Sequence, residues 1–153
     1  MSTLDDVYRK FGEVSEAAQL LETELGNVLI EIGAAEANFL NEPNPDRASE
    51  LFKKINHQTL GQLLKNVSNS TESVGHLEAL LSRALAERNR LSHSFYRRHN
   101  FRRNSEEGRA LMLKDLESIH DILLEAYKAV LLLSGIDLDA VHIDQLSTWH
   151  VPI

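Results

Sequence analysis

One feature limits what this chain can fold into more than any other. From Leu4 to Phe39 apolar residues recur at alternating steps of four and three, at Val7, Phe11, Val14, Ala18, Leu21, Leu25, Val28, Ile32, Ala35 and Phe39. A strand would alternate every two residues, so only a helix puts all ten on one face. At 1.5 Å per residue that helix would be roughly 50 Å long. Glu13, Glu16, Glu22, Glu24, Glu31 and Glu36 fall mostly on its other faces. A stripe this long can be buried only against other helices running nearly alongside, packed at a shallow angle. Gly26 and Gly33 lower helix propensity and leave room for a close neighbour.

The rest of the chain supplies the partners. After a break at residues 41–45, Asn44 is a good N-cap and Pro45 suits the first helical position, so a second helix is predicted from Asp46 to about Ile55. Asn56, His57 and Gln58 interrupt it, and a short helical stretch covers 59–67. Residues 68–71 form a loop ending in a cap. A third helix then begins near Thr71 with an apolar stripe at Val74, Leu77, Leu81, Ala84/Leu85, Leu91 and Phe95. Residues 100–105 read as a turn, with Asn104 and Glu107 in a capping arrangement. The fourth helix carries Met112, Leu116, Ile119, Leu123, Ala126/Tyr127, Val130 and Leu133, and Gly135 stops it. In the tail, Val141, Ile143, Leu146 and Trp149 suggest a short helix across the bundle. The prediction is an all-α, up-and-down bundle of four main helices with short extra helices, one domain over residues 1–153.

Charge is distributed unevenly. The net charge is −7, yet Arg83, Arg88, Arg90, Arg97, Arg98, Arg102 and Arg103 stand against a single acid, Glu87, within 21 residues, which is +6 locally. The remainder holds nine basic and 22 acidic residues. An acidic body with one arginine band points to a local anionic partner, and arginine is the side chain suited to bidentate phosphate contacts. There is no cysteine, so disulfides and zinc–thiolate sites are excluded. The acidic start, Met1 to Asp6, lacks the basic region of a signal peptide, and no apolar run approaches a membrane span. A cytoplasmic protein without membrane association is expected.

Position 88 lies in the centre of the third helix's apolar stripe, and the residue there is arginine. A guanidinium on that seam costs several kcal/mol unless it is paired or serves a site. Five residues later comes His93, the side chain type suited to exchanging protons near neutral pH. At about 100° per residue, His93 points about 140° away from Arg88. A second stripe, Ser82, Ala86, Asn89 and His93, is small above and polar below. It reads as a dimer seam, and a two-fold axis there would bring Arg88 and His93 of two copies together. The alternative is structural: Arg88 reaches a bundle acid such as Glu24 or Glu125, and His93 is a surface histidine.

The run Arg88-Asn89-Arg90-Leu91-Ser92-His93 resembles the signature of the HEPN superfamily (higher-eukaryote and prokaryote nucleotide-binding domains): an arginine, usually a polar residue next, and a histidine after four to six intervening positions. Members are small helical bundles with the motif in the third long helix, and many are metal-independent endoribonucleases whose two motifs meet in a dimer. The resemblance implies that Arg88 and His93 are catalytic, that Asn89 supports them, and that the chain is a homodimer acting on RNA. Toxin members carry a tyrosine two residues after the histidine, the target of a partner nucleotidyltransferase. Here that position is Phe95, and the tyrosine stands at Tyr96. An inhibitor or antitoxin protein is the further partner implied for such members.

The chemistry fits the residues themselves. RNA is cleaved when its 2′-hydroxyl attacks the neighbouring phosphate, which needs a base and a positive charge but no metal or cofactor; histidine and arginine supply them. Arg90, Tyr96, Arg97, Arg98, His99, Arg102 and Arg103 are expected to hold the nucleic acid, the arginines on phosphates and Tyr96 on a base. Phe95, on the apolar stripe, is assigned to the core. Glu117 and His120 have the Glu-x-x-His spacing of di-iron bundles, but those need two such motifs and this chain has one. A competing reading is a non-catalytic helical module that dimerises and binds a nucleotide or a partner protein.

Overall fold

The computed structural model describes residues 1–58, 62 and 75–140. Among them the chain is all-α, a bundle of four helices: α1 Leu4–Glu36, α2 Pro45–Asn56, α3 Gly75–His99 and α4 Glu106–Leu133. Two 3-10 turns, Asn100–Asn104 and Leu138–Ala140, follow α3 and α4. The stretch predicted over 59–67 (Gln62 apart), the loop at 68–71 with the first turn of the third helix, and the tail from Val141 onward lie outside the described residues.

Helices α1, α2 and α4 each begin where a side chain can replace a missing backbone partner. Thr3 and Asp6 close a reciprocal capping box on α1, with Asp6 N–H donating to Thr3 Oγ1 at 3.1 Å and Thr3 N–H to Asp6 Oδ2 at 2.9 Å. The Thr3 backbone N–H first, and then its hydroxyl, which donates to Asp6 Oδ2 at 2.7 Å, hold the Asp6 carboxyl below the usual carboxylate range. Asn44 caps α2 by accepting from the Arg47 N–H, with Pro45 next in line. The cap of α4 is Ser105, not Asn104: its Oγ accepts from the Gly108 N–H at 3.0 Å, because Asn104 still belongs to the preceding 3-10 turn. Helix α1 stops at Glu36, short of Phe39, where Asn38 turns left-handed at φ 57°. Gly135, at φ 77°, terminates α4 as predicted, with Ile136 N–H bonded to the Leu131 carbonyl and Gly135 N–H to that of Leu132.

Cross-helix contacts fix the directions. Arg109 donates to the Ser2 carbonyl, Lys10 lies 3.0 Å from His120, and Ser134 donates to Glu24, so α1 and α4 run the same way. Phe11 meets Phe95 while Glu22 meets Arg88, so α3 runs oppositely. Helix α2 folds back along the end of α1, its Ile55 against Gly26 and its Leu51 against Gly33, where an added Cβ would come within 2.8 Å of the Leu51 side chain. The buried residues form one cluster: Val14, Leu21 and Leu25 from α1, Leu81, Ala84, Leu91 and Phe95 from α3, and Met112, Leu116, Ile119 and Leu123 from α4. Burying an aliphatic or aromatic side chain of this size is worth about 1.5–3 kcal/mol. Among the described residues no helix is long and apolar enough to cross a membrane.

Candidate nucleic-acid interface

Arg88 sits where the stripe predicts, between α3 and α1, and its charge is met. Nη2 lies 2.7 Å from Glu22 Oε1, and Nη1 donates to Asn89 Oδ1 at 3.1 Å. The acid is Glu22, not Glu24 or Glu125. Periodicity fixes which face of each helix is buried but not how far one slides along another, and this antiparallel register sets position 22 opposite 88. Glu24 is instead engaged by Asn27 and Ser134. The contact is an ion pair off the hydrogen-bond line: Glu22 Oε1 is buried and accepts no hydrogen bond.

Arg88 lines a cavity of about 340 Å³ between α1 and α3, with Phe11, Ser15, Glu22 and Ser92 on its walls. His93 is not among them. It is exposed, and among the described residues it has no hydrogen-bond or ion-pair partner. One copy of the chain therefore does not bring Arg88 and His93 into one cavity, as the helical angle requires. Ser82, Ala86, Asn89 and His93 are all exposed and share one face of α3.

Two residues beyond Arg88 the chemistry is different. Arg90 faces α4, where Nη1 and Nη2 donate to Asp115 Oδ2 and Oδ1 at 2.6 and 2.8 Å and Nε donates to Glu87 at 2.8 Å. His99, only 4% exposed, continues the apolar stripe of α3 and packs on Phe95 with ring centroids 4.5 Å apart. Its Nε2 lies 2.7 Å from Asp115 Oδ2, and its Nδ1 lies 3.1 Å from Arg102 Nη1. A guanidinium can only donate, so Nδ1 accepts and Nε2–H donates to Asp115, which makes the ring the neutral tautomer. Arg90 above all, then His99, holds the Asp115 carboxyl below the usual carboxylate range, and Arg90 in turn is raised, first by Asp115. Two members of the expected phosphate-gripping set are thus committed elsewhere: Arg90 to two carboxylates and His99 to a buried bridge.

Asp115 was the unread residue here. It stands three positions after Met112 and four before Ile119, at the margin of the apolar stripe of α4. A carboxylate at that register is the same kind of signal as an arginine at 88, and it marks the partner. The turn is fitted just as closely. A Cβ at Gly108 would collide with the Arg102 carbonyl, so glycine is what allows the 3-10 turn to lie against α4 and set Arg102 beside His99. Asn100 enters that turn left-handed at φ 47°.

The remaining members divide by what they touch. Tyr96 packs its ring on Phe11 and Phe95 and is 39% exposed, and burial pushes its hydroxyl upward. Arg103 donates to the Tyr8 hydroxyl at 3.0 Å. Arg97 and Arg98 are exposed and unpaired among the described residues. Arg98 joins Arg90, Arg102 and Lys114 around a cavity of about 440 Å³ between the end of α3 and α4, with His99, Asp115 and Ser118 completing its polar wall.

Among the described residues no three His, Asp or Glu side chains gather as metal ligands. Of the Glu-x-x-His pair, His120 has its Nδ1 against the Lys10 ammonium, and burial, with that cation second, lowers its proton affinity. No protein-family model, curated protein or solved structure matches the chain.

Proposed function

We propose that the chain is a HEPN-like, metal-independent endoribonuclease acting in the cytoplasm as a homodimer. The observation that carries this reading is the outer face of α3. An unpaired, exposed His93 shares a small, polar face with Asn89, and Asn89 itself accepts a bond from Arg88. Two such faces apposed by a two-fold axis would place the histidine of one copy by the arginine of the other. His93 would take the proton of the RNA 2′-hydroxyl as that oxygen attacks phosphorus. Arg88 would stabilise the charge on the phosphorane oxygens, and the bond from phosphorus to the 5′-oxygen breaks as that oxygen takes a proton from water. The products are a 2′,3′-cyclic phosphate and a 5′-hydroxyl, with Arg97 and Arg98 holding flanking phosphates. An inhibitor or antitoxin would act by covering the same face.

A second reading has its own support: Glu22 already meets the charge of Arg88, as in a helix seam that is merely stabilised. The chain would then dimerise and bind a nucleotide or protein without cutting. One experiment decides between the two. Purified protein incubated with RNA and EDTA should yield 2′,3′-cyclic ends, His93→Ala and Arg88→Lys should each abolish cleavage, and sedimentation should give a dimer of the 17.3 kDa chain. Wild-type cutting by both variants, or a strict monomer, sinks the ribonuclease reading.

A further inference from the structure

We infer that the cavity between the end of α3 and α4 is a binding site for a phosphomonoester, apart from the Arg88/His93 face and independent of whether the chain cleaves RNA. Four cations, Arg90, Arg98, Arg102 and Lys114, border it against one carboxylate, Asp115. That carboxylate is already spent: both of its oxygens accept from Arg90, and one also accepts from His99. Arg98 and Lys114 have no partner among the described residues, and there the Arg102 guanidinium bonds to His99 alone.

The cations are not merely close in sequence. Lys114 comes from α4, outside the arginine band. Arg102 is held by a relay in which Arg90 fixes Asp115, Asp115 fixes the His99 ring, and His99 fixes the guanidinium. Arg102, fastened in this way, loses little freedom when an anion arrives, and the exposed Arg98 and Lys114 supply unspent charge beside it. Three cations without an acid suit a ligand carrying nearly two negative charges, which a phosphomonoester carries at neutral pH and a backbone diester does not. The cavity is of the size that small ligands occupy, roughly 300–1,000 Å³. Cleavage at the Arg88/His93 face leaves a 5′-hydroxyl and a cyclic diester, neither of them a monoester. The ligand is therefore a phosphate already carried by an RNA 5′ end or by a free nucleoside monophosphate, not an end that such cleavage would create.

The test is calorimetric titration of the intact protein with AMP, adenosine, and a short 2′-O-methyl RNA made with and without a 5′-phosphate. The methylated sugar blocks cleavage, so the result does not depend on the ribonuclease reading. At least one phosphorylated ligand should bind about tenfold or more tighter than its unphosphorylated counterpart, the gain from new charge-assisted bonds. Inorganic phosphate should compete with it. A preference shown by AMP identifies a free nucleotide as the ligand, and one shown only by RNA identifies a strand end. Lys114→Ala and Arg102→Ala should each remove most of that preference, while Arg83→Ala, on the same helix but off the cavity, should leave it unchanged. Lys114 is exposed, so its variant keeps the test open even if Arg102→Ala disturbs His99. Equal binding with and without the phosphate, or equal losses in Lys114→Ala and Arg83→Ala, overturns the site.

Discussion

Arg88 and Arg90 are the same residue type, two positions apart on one helix, and the structure uses them differently. Arg88 faces α1, where it meets a single carboxylate off the hydrogen-bond line and remains 27% exposed. Arg90 faces α4, where it is closed by two carboxylates and tied through Asp115 to a buried histidine. Two histidines of the same helix differ likewise: His93 is exposed and, among the described residues, unpartnered, whereas His99 is buried and bonded at both nitrogens. Each neighbouring helix offers one acid, and the difference lies in geometry and in the helix itself: Asp115 takes Arg90 on both oxygens, and Glu87 of α3 adds a second carboxylate. Arg90, Asp115 and His99 spend their charges and bonds on one another and hold α3 to α4, whereas Arg88 has one carboxylate and stays partly open to solvent. Local departures from the hydrophobic pattern occur in both regions, so a charged residue on an apolar stripe marks a place to look and does not say which kind of place it is.

The sharpest way to break that contrast is at Asp115. Asp115→Ala removes the acid from both Arg90 and His99 and leaves a cation and a buried ring nitrogen without their partner. For a largely buried pair, loss of one member costs about 3 kcal/mol, a fall of roughly 9 °C in melting temperature for a chain of this length. Asp115→Asn should lose nearly as much, since the charge is what Arg90 pairs with. The sign with pH follows from the direction of the shift. The folded carboxyl has a depressed pKa, so its contribution is complete above the usual carboxylate range and is lost as pH falls through the folded value. The gap between wild type and Asp115→Asn should therefore be widest at neutral pH and close under strong acid. A gap that does not move with pH would mean that the cluster is held by shape rather than charge.

Arg88→Leu is the matching change in the other region, with a smaller effect. The apolar stripe alone predicts that leucine there is neutral or stabilising. The Glu22 contact reverses that expectation, because the variant leaves a buried carboxylate oxygen without its cation, at a cost of about 1–2 kcal/mol. Adding Glu22→Leu should recover most of the loss, so the two changes should be strongly non-additive in a thermal-melt cycle. Additive losses would show that Arg88 and Glu22 do not depend on each other in solution.

Among the described residues the four helices and their buried faces were legible in the sequence because a period of 3.5 leaves little choice of structure. Val7, Val14, Leu21 and Leu25 are inside as the stripe requires, as are Leu81, Leu91 and Phe95. The anomaly at Arg88 was legible for the same reason. What could not be read was anything set by the sliding of one helix on another, since each helix's pattern is silent on its neighbour's register. That is why Glu22, and not Glu24 or Glu125, receives Arg88. The fate of His99 was partly legible: four residues after Phe95 it continues the buried stripe, and that position outweighs membership of a basic run. The cap of α4 falls at Ser105, one residue past Asn104, and α1 ends at Glu36, three residues short of Phe39, where Asn38 turns left-handed.

The smallest expected effect on stability is at His93, and it completes the contrast with His99. His99→Ala removes a ring packed on Phe95 together with the bridge from Asp115 to Arg102, and should cost about 2–3 kcal/mol as a buried, bonded side chain. His93 touches none of these groups, lies in solvent, and sits in a helix where alanine is the better former. His93→Ala should therefore melt within about 0.5 kcal/mol of wild type, or slightly above it. The same variant is the one that the ribonuclease reading requires to be inactive. A protein with unchanged melting and no cleavage would place the role of His93 wholly in function. If His93→Ala instead melts several degrees lower, the outer face of α3 is already covered in solution, and the stability it lends must come from a second copy. In that event the loss should grow with protein concentration, because the wild-type dimer gains stability by mass action and the variant does not. Melts at two concentrations a hundredfold apart separate a free histidine from one buried in a dimer seam.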